Sequence, residues 1–177
     1  MRQDAQGLTL LELLVAIAVM GVLLGIGVPS FQNLQRRMRA DTTFNVLTAS
    51  LAVARGTAVK IHSSVSVCPS SDGRFCRSDA VWDHGWIVFK DPARGKQPAS
   101  ADAILHRFER VSRGLAVRST VGRTRVRYDA SGMSRGSNVT IRFCSTSDHH
   151  HVGSVVVNNA GRPRTVRYHD APCPFAL

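Results

Sequence analysis

The stretch GLTLLELLVAIAVMGVLLGIGVP, residues 7–29, decides how the rest of the chain is read. Between Leu8 and Val28 every residue is apolar or glycine except Thr9 and Glu12. As a helix rising 1.5 Å per residue, the run spans about 31 Å, the thickness of a bilayer's hydrocarbon core. The leader before it, MRQDAQG, carries one arginine offset by one aspartate. An ordinary secretory signal has a basic start and a small-residue cleavage site after the apolar run. Here the small residue, Gly7, precedes the run, so the apolar segment is expected to be retained. Glu12 is the exception inside it. A carboxylate in hydrocarbon costs a few kcal/mol, so it needs a partner or a function. Cleavage after Gly7 creates an α-amine on Leu8. Within one helix that amine aligns poorly with Glu12, whereas the amine of one subunit can meet Glu12 of a stacked neighbour.

These residues resemble the class III signal and N-terminal helix of type IV pilins and type II secretion pseudopilins. The resemblance implies that a prepilin peptidase cuts between Gly7 and Leu8 and methylates the new N-terminus. It implies that Glu12 guides docking into a filament of major and minor pilins, and that Pro29 is the proline at which such helices kink. Leu8 departs from the usual Phe. The subunit would wait in the inner membrane as a single-pass protein with a periplasmic globular domain, then become extracellular within the pilus.

Beyond Pro29 the helical pattern continues. Phe31, Leu34, Met38, Phe44, Leu47, Leu51, Ala54 and Ala58 recur at spacings of three and four, an apolar stripe expected to face inward. Arg36, Arg37 and Arg39 follow the membrane segment and suit a solvated face or lipid phosphates. Gly56 weakens the helix near its end, and the alternating SVSVC begins at residue 64. Short segments bounded by turn residues follow at 85–90, 103–109, 115–121, 124–129, 139–144, 153–159 and 164–169, and read as strands. The expected fold class is α+β, a pilin-like long N-terminal helix packed on an antiparallel β-sheet domain. The expected divisions are a leader (1–7), a membrane or filament-core helix (8–29), an amphipathic helix half (30–62) and a β-rich domain (63–177). The four cysteines, Cys68, Cys76, Cys144 and Cys173, contain no C-x-x-C spacing. Each successive pair brackets a loop, which suits disulfides Cys68–Cys76 and Cys144–Cys173 in an oxidising compartment; four buried free thiols are the other reading.

No catalytic motif of the common hydrolase, metalloprotease or phosphate-loop kinds is present, so an enzyme and a cofactor are not expected. Asp148 to His151 read DHHH, but successive residues on a hairpin point to alternate sides and seldom converge on a metal.

Charge points elsewhere. The chain carries a formal net charge of +11, and 20 of its 23 basic residues are arginines. From Arg110 onward there are eleven arginines, no lysine and three acids, Asp129, Asp148 and Asp170. Such a surplus favours a polyanionic partner. In VNNAGRPRTVRYH, residues 157–169, Gly161 can take positive φ in a hairpin loop, and Pro163 biases Arg162 toward an extended conformation. Arg162 and Arg164 would then project to one side about 6–7 Å apart, close to the spacing of successive phosphates on a strand. Arg167 has the opposite parity. A second series, Arg123, Arg125 and Arg127 in GRTRVRY, shares one strand face and is an extension of the patch.

The strand-rich half, with G-R-x-R before the last cysteine, is similar to the FimT/GspH branch of minor pilins, closest to FimT. DNA-binding members of the FimT group use a C-terminal G-R-x-R loop, and GRPR at 161–164 matches its place. The resemblance thus implies a minor pilin that holds extracellular DNA through Gly161, Arg162, Arg164 and, secondarily, Arg167, for uptake in natural transformation. The alternatives are a structural minor pilin that primes assembly without DNA, and a GspH-type pseudopilin of type II secretion. The arginine surplus argues against the last, since a tip handling exported proteins has no evident need of it.

Overall fold

The structure, a computed structural model, describes residues 10–109, 111, 114–136, 138–168 and 171–175, the side chains of Asn33, Arg36 and Arg37 excepted. Gly7 and Leu8 therefore lie outside the described residues. The chain divides into two compact units, Met1–Met38 and Arg39–Leu177. One helix, α1 (Leu10–Lys60), contributes to both.

In the first unit, Leu10–Gln32 is long and apolar enough to cross a membrane, with mean hydropathy 2.5. Glu12 lies in the first turn of the helix, and its surroundings are exposed. Pro29 sits inside the helix, where it supplies no N–H to the backbone ladder.

The second unit begins with the remaining turns of α1. Phe44, Leu47, Leu51, Ala54 and Ala58 are buried, as their spacing predicts. Phe31, Leu34 and Met38, assigned to the same inward stripe, are instead 54–61% exposed. The stripe is continuous in sequence, but its five buried residues belong to the second unit and the three exposed ones to the first.

Among the described residues eight short strands form two antiparallel sheets rather than one. β1 (Val65–Pro69), β2 (Trp86–Lys90), β3 (Ile104–Phe108) and β5 (Val126–Tyr128) pair in the order β3-β2-β1-β5. β4 (Leu115–Ser119), β6 (Val139–Ser145), β7 (His151–Val157) and β8 (Pro163–Arg167) pair in the order β4-β6-β7-β8. Both sheets turn apolar residues onto the helix. Val65, Val67, Val88, Val117, Ile141, Phe143, Val155 and Val157 join Leu47 and Leu51 in one core. Phe44 packs on Phe143 with ring centroids 4.9 Å apart. Each fully buried Leu or Ile contributes about 1.5–3 kcal/mol, so this core supplies the main driving force. The indole N–H of Trp86 donates to Ser50 Oγ at 3.0 Å, which seats the helix on the first sheet without an orphaned donor.

The far side of the first sheet has its own small core, Cys68, Cys76, Ile87 and Phe89, beneath the loop closed by the Cys68–Cys76 disulfide. Gln97 braces that loop, accepting from Cys76 N at 2.7 Å and donating to Cys76 O at 2.9 Å. The second disulfide, Cys144–Cys173, ties the C-terminal segment to β6. Both pairings agree with the sequence reading.

Candidate nucleic-acid interface

β8 is an edge strand, which is where a proline can open a strand without breaking a ladder on both sides. The turn that delivers it runs from Asn158 to Gly161, closed by Gly161 N donating to Asn158 O at 2.9 Å. Gly161 has φ 72°, and a Cβ there would fall 2.2 Å from the carbonyl oxygen of Gly132. Gly161 is buried and its role is conformational: it lets this turn press onto the loop after β5. Ser134 N donates to Asn159 O at 3.0 Å and fastens the same two loops.

The register then sorts the arginines. Val155 and Val157 face the core, and Thr165 and Pro163 stand opposite them on β8. Arg164, opposite Val156, therefore faces the outer side of the sheet, and Arg162 is exposed at the end of the turn. Neither guanidinium has a carboxylate partner among the described residues, where the ion pairs are Arg77–Asp79, Arg118–Asp83, Arg127–Asp91 and Arg167–Asp41.

Arg167 stands opposite Gly153, on the helix side. Its guanidinium pairs with Asp41 and lies 5.4 Å from the centre of the Phe44 ring. It does not join Arg162 and Arg164 on one surface, because strand parity sends it to the other face and α1 supplies an acid to hold it.

Arg123, Arg125 and Arg127 likewise separate. Val126 and Tyr128 are buried, as alternation predicts, but the opposite face is not simply solvent. Arg127 Nε donates to Asp91 Oδ2 at 2.9 Å, and Asp91 is 4% exposed. Ser66 Oγ donates to the same oxygen at 2.6 Å. Arg125 and Arg127 both donate to Gly95 O, at 3.0 and 2.8 Å. These two arginines bind the chain's own loop 91–95. Burial, and then the neighbouring Arg127, push the Arg125 guanidinium below its ordinary value, with Asp91 opposing. Arg123 is exposed and donates to Gly136 O at 2.8 Å.

One arginine was missed. Arg142 on β6 stands opposite Ser154, which in turn stands opposite Val166, so it shares the outer face with Arg164. In VTIRFC it has the expected outward parity, but only the β6–β7–β8 register places it two strands from Arg164. Arg118, opposite Arg142 on β4, is taken up by Asp83 and by the Phe175 ring 5.7 Å away. Beside Arg164 the outer face dips into a shallow groove of about 180 Å³ lined by Thr120, Asn138, Thr140, Val156 and Asn158 among others.

The DHHH segment leads into β7 rather than lying wholly in a loop. His151 is the first residue of that strand, stacks on Tyr168 at 4.1 Å and shares a hydrogen bond of 3.0 Å between its Nε2 and Ser154 Oγ.

A long helix with an apolar N-terminal half, followed by an antiparallel β domain closed by disulfides, is the pilin fold. Comparison with known proteins agrees. The prokaryotic N-terminal methylation motif matches residues 2–28. The family model of type II transport protein GspH matches residues 43–161, and the chain belongs to that family. Comparison with curated protein sequences finds no match. Crystal structures of the type IV minor pilin FimU of Pseudomonas aeruginosa are similar. One is 16% identical with TM-score 0.58, the match covering 77% of this chain and 92% of that one. A second crystal form gives 18% identity and TM-score 0.54, with 71% and 91% covered. The minor pseudopilin EpsH of the Vibrio cholerae type 2 secretion system is 14% identical with TM-score 0.51, covering 73% of this chain and 97% of that one. The chain is thus a structural, non-enzymatic subunit of the minor pilin or pseudopilin kind.

Proposed function

We propose that this subunit is a FimT-like minor pilin that holds extracellular DNA by its phosphate backbone for uptake in natural transformation. The observation that carries the reading is the pair Arg162, at the end of the turn, and Arg164, on the edge strand that follows, both exposed with no carboxylate partner among the described residues. Guanidinium groups bind phosphate bidentately and without regard to sequence. Arg142 extends the same face. The apolar helix anchors the subunit in the inner membrane with the β domain on the periplasmic side, cleavage between Gly7 and Leu8 releases it for assembly, and Glu12 docks it among other pilins.

Three or four phosphate contacts give a log–log salt slope of roughly −3, and affinity of about micromolar order at best. Several copies on one filament multiply that affinity. The test is titration of labelled duplexes of unrelated sequence with the full chain in nonionic detergent, at two salt concentrations. Wild type is expected to bind all duplexes alike, and Arg162→Ala/Arg164→Ala to lose at least tenfold. Equal binding by both would move the site elsewhere. No binding by wild type would leave a structural minor pilin or a secretion pseudopilin.

A further inference from the structure

A second basic concavity lies beyond the Gly132–Gly161 contact. Arg94, Arg127, Asp129, Met133 and Arg135 line a cavity of about 150 Å³. At about 30 Å³ per water it has room for roughly five waters, and hence for a tetrahedral oxyanion that keeps part of its hydration. None of the residues that define the turn at 158–164 lines it, so its chemistry is separate from that of Arg162 and Arg164.

Three segments build its walls, and each is held in place from behind. Arg94 lies in the loop after β2 and has φ 53°, a left-handed conformation uncommon for a long side chain and worth explaining. Its N–H donates to Asp91 O at 3.0 Å, while Gly95 N donates to Asp91 Oδ1 at 2.6 Å, so a buried aspartate shapes the loop from both ends. Arg127 is fixed by Asp91 and Gly95 O, as described above, and lines the cavity. Arg135 lies in the loop after β5, exposed, with Nε and Nη2 turned to Met133 Sδ at 3.4 and 3.2 Å. A thioether is a weak acceptor and carries no charge, so the contact positions this guanidinium without neutralising it.

One acid faces the cavity. Asp129 Oδ1 accepts from Ser131 Oγ, Ser131 N and Met133 N, which turns that oxygen back toward its own loop. Among the described residues three guanidiniums, Arg94, Arg127 and Arg135, line the cavity against one carboxylate, Asp129, and Arg127 is already paired with Asp91. A cationic cavity attracts an anion that accepts several N–H donors at once. A phosphate group does so in the geometry guanidinium favours.

We propose that the Arg94–Arg127–Arg135 cavity is a phosphate-binding site. Arg94 and Arg135 contact the oxyanion, and Arg127 forms the floor that positions it. Two sources share this chemistry, a phosphodiester of a nucleic-acid strand and free inorganic phosphate. The Gly132–Gly161 contact and the Ser134–Asn159 hydrogen bond join the cavity's rim to the turn that carries Arg162, which favours the first source. That choice of source rests on the DNA-holding reading, whereas the anion site does not.

The test uses the full chain in nonionic detergent and two probes. The first probe is inorganic phosphate, compared with chloride at equal ionic strength. Wild type is expected to gain about 2 °C in melting temperature, Arg94→Gln/Arg135→Gln to gain nothing, and Arg162→Ala/Arg164→Ala to keep the gain. The exposed side chains of Arg94 and Arg135 leave the fold intact on substitution, which an unchanged melting temperature in chloride checks. Arg94→Lys/Arg135→Lys keeps the charge and is expected to keep part of the gain. The second probe is labelled duplex DNA. Arg94→Gln/Arg135→Gln is expected to reduce the salt slope by about 1–2 and to leave residual binding through Arg162 and Arg164. A wild type that shows no phosphate-specific gain, or a gain that survives Arg94→Gln/Arg135→Gln, overturns the proposal. A wild type that binds no DNA but shows the gain and loses it on substitution removes the DNA reading and assigns the cavity to free phosphate.

Discussion

Gly161 and Gly132 meet backbone to backbone: a Cβ on Gly161 would lie 2.2 Å from the Gly132 carbonyl oxygen, and both residues have positive φ. Gly161→Ala therefore meets a left-handed penalty of about 1–2 kcal/mol and, in addition, a clash with backbone that has nowhere flexible to go. The expected outcome is a melting temperature lower by about 5 °C or more. DNA affinity is expected to fall although every arginine remains. Thermal unfolding beside a DNA titration checks both; an alanine variant with wild-type stability would show that the turn can pull away from Gly132.

The arginines divide into two groups that stability measurements separate. Arg127→Ala leaves the buried Asp91 carboxylate without its cation, which costs about 3 kcal/mol or more. Arg162→Ala/Arg164→Ala removes exposed side chains and is expected to shift stability by no more than about 0.5 kcal/mol per site. Melting temperatures of the two variants side by side test the assignment. Similar losses would mean that Arg162 and Arg164 also hold the fold together.

The disulfides close loops of different length, with sequence separations of 8 and 29. On the loop-entropy model Cys68–Cys76 stabilises by about 2.5 kcal/mol and Cys144–Cys173 by about 3.6 kcal/mol. Cys144→Ser/Cys173→Ser is therefore expected to melt lower than Cys68→Ser/Cys76→Ser. The reverse order would point to the small core of Ile87 and Phe89, which only the shorter loop covers.

Burial pushes the His151 imidazole below its ordinary value of 6.5, and the charge of Arg142 adds to the effect, against an opposing hydrogen bond with the Gly153 backbone. The unfolded chain thus takes up a proton on this histidine at higher pH than the folded one. Stability is full above about 6.5 and declines as pH falls from there toward the depressed folded value. Asp79, held low first by its hydrogen bond from Arg77, and Asp129, held low first by Ser131, lose their stabilising contributions only in the more acidic carboxylate range. Melting temperature followed from pH 7 downward is expected to fall in two stages, and His151→Gln to flatten the first. A first stage unchanged in His151→Gln would assign it to other groups.

Much of the fold was legible because it rests on local periodicity. Twenty-one residues at hydrocarbon hydropathy, a glycine before them and Glu12 within them specify a pilin-type N-terminus without any tertiary information. Each strand was found within about two residues, since alternation and turn residues are properties of the chain itself. Gly161's positive φ followed from the turn chemistry of NNAG. What alternation cannot do is pair strands. Whether β1 to β8 make one sheet or two depends on which edges meet, and those contacts join residues far apart in sequence.

The same reason limits the reading of the arginines. Parity alone correctly set Arg167 apart from Arg162 and Arg164, and it grouped Arg125 and Arg127 with the solvent face. It could not show that Asp91, 36 residues before Arg127, folds beneath it, or that Asp41, 126 residues before Arg167, reaches across to it. Nor could it bring Arg94 and Arg135, separated by three strands of chain, to one cavity with Arg127. The sequence by itself determined the long apolar helix, the strand segments and the surplus of positive charge, and it offered the disulfide pairing as one of two readings. Only the tertiary structure decided which charges are spent on the protein's own carboxylates and which stand open to a partner, because long-range pairing depends on distance in space and not along the chain.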